Sequence, residues 1–255
     1  MKNQASFPRR LMAVTLVSFS LGIGSQNVSA DDDELTLETL KFFIEFNETD
    51  QDVGVQAVLG GEPYKTLRAY GPDEREILSL RPKGGLRMQG MSDFFFESAE
   101  PTLDEFSMDE FLTRFPQGIY EFETTTLEDV EQDGETMFTH VIPAGPEITS
   151  PLEGDVVDPD DVVITWNPVT WTTAFNPPRE PCGDGHICRI VGYQVIVTKE
   201  DPLRIYSVDV PAEITRITVP PEFLEPGTEY ELEVLAIEES DNQTISIIFF
   251  ETEEE

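Results

Sequence analysis

The segment Leu224-Glu-Pro-Gly-Thr-Glu-Tyr230 constrains the fold more than any other part of this 255-residue chain. It places a Pro-Gly turn between a leucine and a tyrosine, and the residues that follow, 231–236, largely alternate acidic and apolar side chains. This alternation is typical of a strand with one face on a core. In an antiparallel sandwich, a tyrosine at this position packs its ring into the core while its hydroxyl reaches the backbone of the turn, forming a tyrosine corner. The segment therefore predicts a β-sandwich in the C-terminal half.

Other segments of the C-terminal half supply the remaining strands of such a sandwich. Residues 161–167 are strand-like and contain Trp166, and residues 190–198 and 244–250 are also rich in β-branched and aromatic side chains. Together with the tyrosine corner, these segments resemble a fibronectin type III domain over residues 147–252. The resemblance implies an antiparallel sandwich, but it names no ligand because this fold carries many unrelated binding surfaces.

The N-terminal half also reads as a β-sandwich, with a single short helix. The helix is predicted after Ser107, because Ser107-Met-Asp-Glu110 is a capping box and Pro116 ends the helical stretch. β-Rich runs separated by turn residues predict strands at 40–46, 53–59, 65–70, 76–80, 93–97, 118–123 and 135–142. We therefore predict an all-β protein of two sandwich domains, 35–142 and 147–252, with a proline-rich linker at 143–146.

The first 30 residues read as a secretory signal peptide. Lys2, Arg9 and Arg10 precede a mainly apolar stretch that is too short to span a bilayer, and small residues at 28–30 offer a cleavage site. We therefore expect the mature chain to begin at Asp31, to be periplasmic or secreted, and not to insert into a membrane after cleavage.

The chain is strongly acidic, with 51 acidic and 16 basic residues and a net charge of −35. Removal of residues 1–30 takes away three positive charges and no negative ones, which leaves a mature chain at −38. Such a field repels nucleic acid and anionic lipid, which excludes both as partners. The acids are spread through both halves, which suits solubility better than one cation site, although multivalent cation binding is the alternative.

An oversized loop, residues 168–189, separates the second and third strands of the C-terminal sandwich and holds both cysteines of the chain. We refer to it as the disulfide loop. An even number of cysteines in an exported protein predicts a Cys182–Cys188 disulfide. The alternative is a metal site that combines the two thiolates with His186, but structural zinc would need a fourth ligand.

The same loop is the predicted binding surface. It carries Trp171, Phe175, Arg179 and His186, and aromatic side chains on a rigid loop at the end of a sandwich are a common form of recognition surface. The ligand would be a protein or a carbohydrate. In the alternative interpretation, the aromatic side chains fold back and cover the edge of the sandwich.

A second candidate is a calcium site at Asn47, Asp50 and Asp52. Their oxygen atoms are the ligands that calcium prefers, and Gly54 follows them. The pattern lacks a third carboxylate at the right spacing and a later bidentate glutamate, so a polar turn between two strands is the alternative. Apart from calcium, no cofactor is expected.

The sequence gives little sign of catalysis. It contains no nucleophile elbow, no His-Glu-x-x-His zinc motif and no glycine-rich phosphate loop. We therefore predict a non-enzymatic binding or adaptor protein and assign no catalytic residue. The first alternative is a calcium-stabilised extracellular structural protein. A carboxylate-dependent hydrolase is the weaker one, because 51 acidic residues always offer pairs.

Overall fold

The computed structural model describes residues 35–175 and 179–254. The signal peptide predicted at residues 1–30 lies outside them, as do Pro177 and Pro178 of the disulfide loop. Within these residues the protein is mostly β-structure, which confirms the all-β prediction. None of the helices in this part of the chain has the length and apolar composition needed to cross a membrane.

Seven strands lie in the N-terminal half as the structure describes it. They are β1 (Leu35–Thr36), β2 (Thr39–Asn47), β3 (Asp52–Tyr70), β4 (Glu76–Leu80), β5 (Met91–Glu97), β6 (Gly118–Thr126) and β7 (Glu131–Phe138). The predicted helix is present as α2 (Met108–Arg114), and its capping box between Ser107 and Glu110 forms as expected. A further short helix, α1 (Gly84–Gln89), was not predicted.

The longest strand, β3, replaces two strands that the sequence suggested at 53–59 and 65–70. Its first part pairs with β2 and β5, and its last part pairs with β4 and β6. The change of partner occurs after Gly60, where the pairing register shifts. At Gly61 an added Cβ would lie 2.7 Å from the amide end of the Gln132 side chain, which would have to move aside. β3 therefore wraps around the first core instead of breaking at Pro63.

Eight strands lie in the described part of the C-terminal half. They are β8 (Ile148–Ser150), β9 (Val156–Val157), β10 (Val163–Trp166), β11 (Ile190–Lys199), β12 (Arg204–Pro211), β13 (Arg216–Thr218), β14 (Glu229–Glu238) and β15 (Gln243–Thr252). One layer has the order β13-β10-β8, and the facing layer has the order β12-β11-β14-β15. This two-layer antiparallel arrangement confirms the predicted fibronectin type III-like sandwich.

The tyrosine corner forms as predicted. The Tyr230 ring is fully buried, and its hydroxyl accepts a hydrogen bond of 2.7 Å from the backbone N–H of Glu225 in the turn. Trp166 is buried in the same core, with its ring centroid 5.4 Å from that of Tyr193. The side chains of Tyr230, Leu232, Val234 and Ala236, on one face of β14, therefore pack in the interior of the sandwich.

The two halves share one continuous sheet. β15 of the C-terminal half pairs in parallel with β2 of the N-terminal half, with Gln243 opposite Glu45 and Thr244 opposite Phe46. Each half nevertheless has its own core cluster, the first around Phe42 and the second around Trp166. The boundaries drawn at 142 and 147 remain a prediction. We call the β2–β15 pairing and the side chains packed around it the seam.

Candidate functional site

The disulfide loop closes as predicted, because Cys182 and Cys188 are joined. Backbone hydrogen bonds brace the small ring: Gly183 N–H donates to the Cys188 carbonyl at 2.8 Å, and Cys182 N–H donates to the Thr170 carbonyl at 2.8 Å. Gly185 has a φ of +80°, which glycine adopts without strain. With both sulfurs in the disulfide, the alternative site built from two thiolates and His186 is excluded.

The base of the loop is held against the segment between the halves. Ala144 N–H donates to the Trp171 carbonyl at 2.9 Å, and Thr173 N–H donates to the Ile142 carbonyl at 3.0 Å. Phe175 packs edge-on against Phe46 of β2, with the ring centroids 5.4 Å apart. The disulfide loop therefore bridges from the C-terminal sandwich to the N-terminal half.

The four predicted binding residues separate into two kinds. Phe175 makes the contact with the N-terminal half, and the Arg179 guanidinium donates through Nε to the Thr172 carbonyl at 3.0 Å, within the loop. Trp171 keeps 47% of its surface exposed, and His186 is exposed at the tip of the ring. Phe175, which is 37% exposed, and Arg179 thus hold the loop while remaining exposed, and Trp171 and His186 are exposed as well.

A groove beside the ring was not predicted. Ile187, at the tip, and Met137, on β7, both line it, and the turn between β14 and β15, residues 238–241, forms its rim. Ile187 is 67% exposed and Met137 is 53% exposed. Met137 occupies an outward position in the alternation of β7, and an apolar residue at such a position is the signal that sequence reasoning could have used.

The predicted calcium residues lie in the tight turn between β2 and β3. Asn47 Oδ1 accepts hydrogen bonds of 3.0 Å from the backbone N–H groups of Thr49 and Asp50, and Asn47 Nδ2 donates to Asp50 Oδ2 at 3.2 Å. Asp52 stands opposite Asn47 as the first pair of the hairpin. These contacts form an Asx turn, in which the asparagine oxygen satisfies backbone groups. A calcium site at these residues remains a prediction.

Three glutamates close to this turn converge, although the sequence separates them widely. Glu45 of β2, Glu97 of β5 and Glu100 each offer a carboxylate oxygen, and these oxygens lie within 4.8 Å of one another. Glu45 is only 6% exposed and accepts a hydrogen bond from Gln243 across the seam. We call these three residues the buried cluster.

Burial dominates the electrostatics of the buried cluster. It raises the pKa of Glu45 to about 7 and that of Glu100 to about 9, and the neighbouring carboxylates add to both shifts. Burial also raises the pKa of Glu97. Low-dielectric surroundings disfavour the charged form of each carboxyl, and with a pKa of about 9 Glu100 keeps its proton at neutral pH. The enclosed position of Glu45 is unlike the open, two-sided cleft that a glycosidase carboxylate pair needs.

Comparison with known proteins gives matches among solved structures alone. No protein-family model matches the chain, and no curated protein matches it. The fn3 domain of human collagen alpha-1(XX) chain is 20% identical, with 46% of this chain and 94% of that domain covered and a TM-score of 0.30. The chicken CNTN1 FN1-FN3 domains are 16% identical, with 86% of this chain and 66% of that chain covered and a TM-score of 0.31.

Proposed function

We propose that this protein is an exported, non-enzymatic binding or adaptor protein that presents its disulfide loop to a partner protein. The observation that carries the proposal is the exposure of Trp171 on a loop that is fixed at both ends. The Trp171 carbonyl accepts a hydrogen bond from Ala144 N–H, while 47% of the surface of Trp171 is exposed to solvent. A large aromatic side chain on a pre-organised backbone loses little entropy on binding, and tryptophan is enriched at binding hot spots.

The chemistry of the loop favours recognition over catalysis. His186 is at the tip of the disulfide ring, where its backbone N–H donates to Gly183 at 3.2 Å, and the two cysteines are joined to each other. A nucleophilic mechanism needs an activated thiol or hydroxyl beside a base. The disulfide removes the thiols, and we assign the loop a binding role.

Export is part of the proposal. It is supported by the basic and then apolar pattern of residues 1–30 and by the disulfide, because such bonds persist mainly in oxidising compartments. Intact mass measurement of the protein recovered from its producing cells tests this point. We expect a chain that begins at Asp31 and contains no free thiol, whereas retention of residues 1–30 would contradict export by cleavage.

The binding proposal is tested by cross-linking in the exported fraction of the producing cells. Wild-type protein is compared with Trp171→Ala and with Leu152→Ala, a control that truncates an apolar side chain outside residues 168–189 that is 54% exposed. We expect one cross-linked partner to be lost with Trp171→Ala and kept with Leu152→Ala, at equal melting midpoints. A partner retained by Trp171→Ala, or a lowered midpoint without loss of the partner, would show that Trp171 serves the fold instead.

A further inference from the structure

The outward face of the β6–β7 hairpin carries carboxylates directly opposite one another. Glu121 pairs with Glu135, and Glu123 pairs with Asp133. We call these four residues the acidic ladder. Side chains at opposed positions of an antiparallel pair have Cβ atoms about 5 Å apart, so each rung places two like charges side by side. Like charges at such positions lower stability, and the hairpin therefore carries a cost that its own fold does not require.

One cation of the neighbouring strand β3, Arg68, lines a depression together with Glu121, Glu123 and Asp133 of the ladder. Arg68 stands opposite Glu123 and is attracted by its charge, but the ion pair that Arg68 forms, at 3.8 Å, is with Glu76. Among the residues that the structure describes, no ion pair joins a ladder carboxylate to a lysine or arginine. Partial burial is the largest cause that raises the pKa of Glu121, and the negative charges of Glu123 and Glu135 raise it further. The contribution of these two charges agrees with repulsion along the face.

The ladder leads at one end into an apolar surface. The next rung along the hairpin is Ile119 opposite Met137, and both side chains are exposed. Met137 also lines the groove beside the disulfide ring, and Ile187 lines the same groove. We call Ile119, Met137 and Ile187 the apolar end. Ile119 lines a second depression together with Glu121, Glu123 and Glu135, so the apolar end and the ladder form one continuous surface.

We propose that the apolar end and the acidic ladder together bind an extended basic segment of a partner protein, with an apolar anchor ahead of lysines or arginines at alternate positions. The alternate spacing of the cations in the partner segment follows from the geometry of the β6–β7 hairpin. Successive rungs are two residues apart, or roughly 7 Å along the strand, and side chains at alternate positions of an extended peptide have the same spacing. The anchor fills the groove between Met137 and Ile187, and each cation lies beside one rung.

Charge complementarity favours a basic segment as the ligand of this surface. The mature chain has a net charge of −38, which attracts a basic peptide from a distance and repels nucleic acid and anionic membranes. The inference rests on the proposed function in treating the protein as a binding module. It assigns a partner chemistry and a surface that shares Ile187 with the disulfide loop but does not include Trp171.

The test uses purified full-length mature protein and a short fluorescein-labelled peptide with leucine at one end followed by lysines at alternate positions. Anisotropy titrations at low and high salt compare it with a peptide in which glutamate replaces lysine. We expect binding of the lysine peptide that weakens with salt, because the attraction between exposed charges is screened. Equal binding of the glutamate peptide would overturn the proposal.

Variants locate the site. Glu121→Gln with Glu135→Gln should weaken the lysine peptide about tenfold, and Ile187→Ser should weaken it several-fold. The matched control is Glu200→Gln with Glu213→Gln, which changes net charge equally at exposed positions of the C-terminal half. Equal weakening by both double variants would show attraction by net charge alone and would overturn the site. Glu123→Gln with Asp133→Asn repeats the test if the first ladder variant does not fold.

The outcome separates this inference from the proposed function. Peptide binding that depends on the ladder but not on Trp171 supports the inference whatever the cross-linking shows. Loss of a cross-linked partner with Trp171→Ala, together with no peptide binding, would overturn the inference and leave the proposed function standing.

Discussion

Polar side chains are accommodated in opposite ways at the seam and at the acidic ladder. At the seam, Asn242 is 0% exposed, and its amide accepts from Ile44 N–H at 2.8 Å and donates to the carbonyls of Thr139 and Val141 at 3.1 and 2.9 Å. In the ladder, Glu121 faces Glu135 on a solvated surface. An unpartnered polar group is costly when it is buried, whereas water screens unfavourable neighbours at the surface.

The buried cluster lies between these two cases. Glu45 is enclosed like Asn242, yet its nearest charged neighbours are carboxylates, as in the ladder. The comparison teaches that exposure, more than residue type, sets the energetic consequence of a charge in this acidic protein. Variants at the seam should therefore have large effects, and variants in the ladder small ones.

The largest expected effect follows from Asn242→Ala. The free energy of unfolding should fall by about 3 kcal/mol, because the buried Ile44 N–H and two part-buried carbonyls lose their partner. Urea denaturation measures the change. The matched control is Asn167→Ala, an exposed asparagine bonded to Glu147, which should shift stability by about 0.5 kcal/mol or less. Equal losses for the two variants would remove the distinction between the seam and the surface.

Neutralising Glu45 should make stability less sensitive to pH. The folded pKa of about 7 lies above the ordinary value of 4.5, so the cost of ionising Glu45 is absent below pH 4.5, grows as pH rises and is complete above about 7. Glu45→Gln should therefore raise the free energy of unfolding by up to about 3 kcal/mol at pH 8.5, and by almost nothing at pH 4. Glu213→Gln is the control for net charge. A constant difference between pH 4 and 8.5 would contradict burial as the cause.

Reversing one ladder charge should have a smaller effect. Glu135→Lys replaces repulsion of Glu121 by attraction, which should raise stability by at most about 1 kcal/mol at low salt. Glu135→Gln removes the repulsion alone and should fall between wild type and the lysine variant. Thermal melts at two salt concentrations check both the order and the screening. Destabilisation by Glu135→Lys would show that the ladder is not a repulsive surface.

Calcium should leave the melting midpoint unchanged if the Asx turn at Asn47 is structural, since Asn47 Oδ1 already accepts two backbone hydrogen bonds. A site at 100-fold saturation would add about 2.7 kcal/mol, which a melt with calcium and then with chelator detects. A raised midpoint would favour the calcium-stabilised structural protein. If Asp50→Asn abolished the rise of the midpoint with calcium, the ion would be placed in the turn. If Glu100→Gln abolished that rise, the ion would be placed in the buried cluster.

Features with a local cause were predictable. The tyrosine corner depends on a turn and a tyrosine a few residues apart, and the capping box at Ser107 and the Cys182–Cys188 ring are equally short-range. The residues that form each of these features are close together in the sequence, so a short motif is enough to predict it.

Features that depend on pairing between distant segments were not predictable. Asn242-Gln-Thr244 matches a glycosylation motif, but both Asn242 and Thr244 are fully buried at the seam. The period-two acids of β6 and β7 were visible in the sequence, yet their opposition depends on hairpin register. The buried cluster brings Glu45 within reach of Glu97 and Glu100, which follow it by more than 50 residues.

The sequence by itself determined the β-rich character, the fibronectin type III-like sandwich of the C-terminal half, the disulfide and the acidic surface, because alternation, turn chemistry and composition act locally. The tertiary structure alone decided that the disulfide loop reaches Phe46, that the halves share a sheet, and which carboxylates meet. The physical reason is that long-range pairing and burial set these energies, and neither is encoded in the spacing of neighbouring residues.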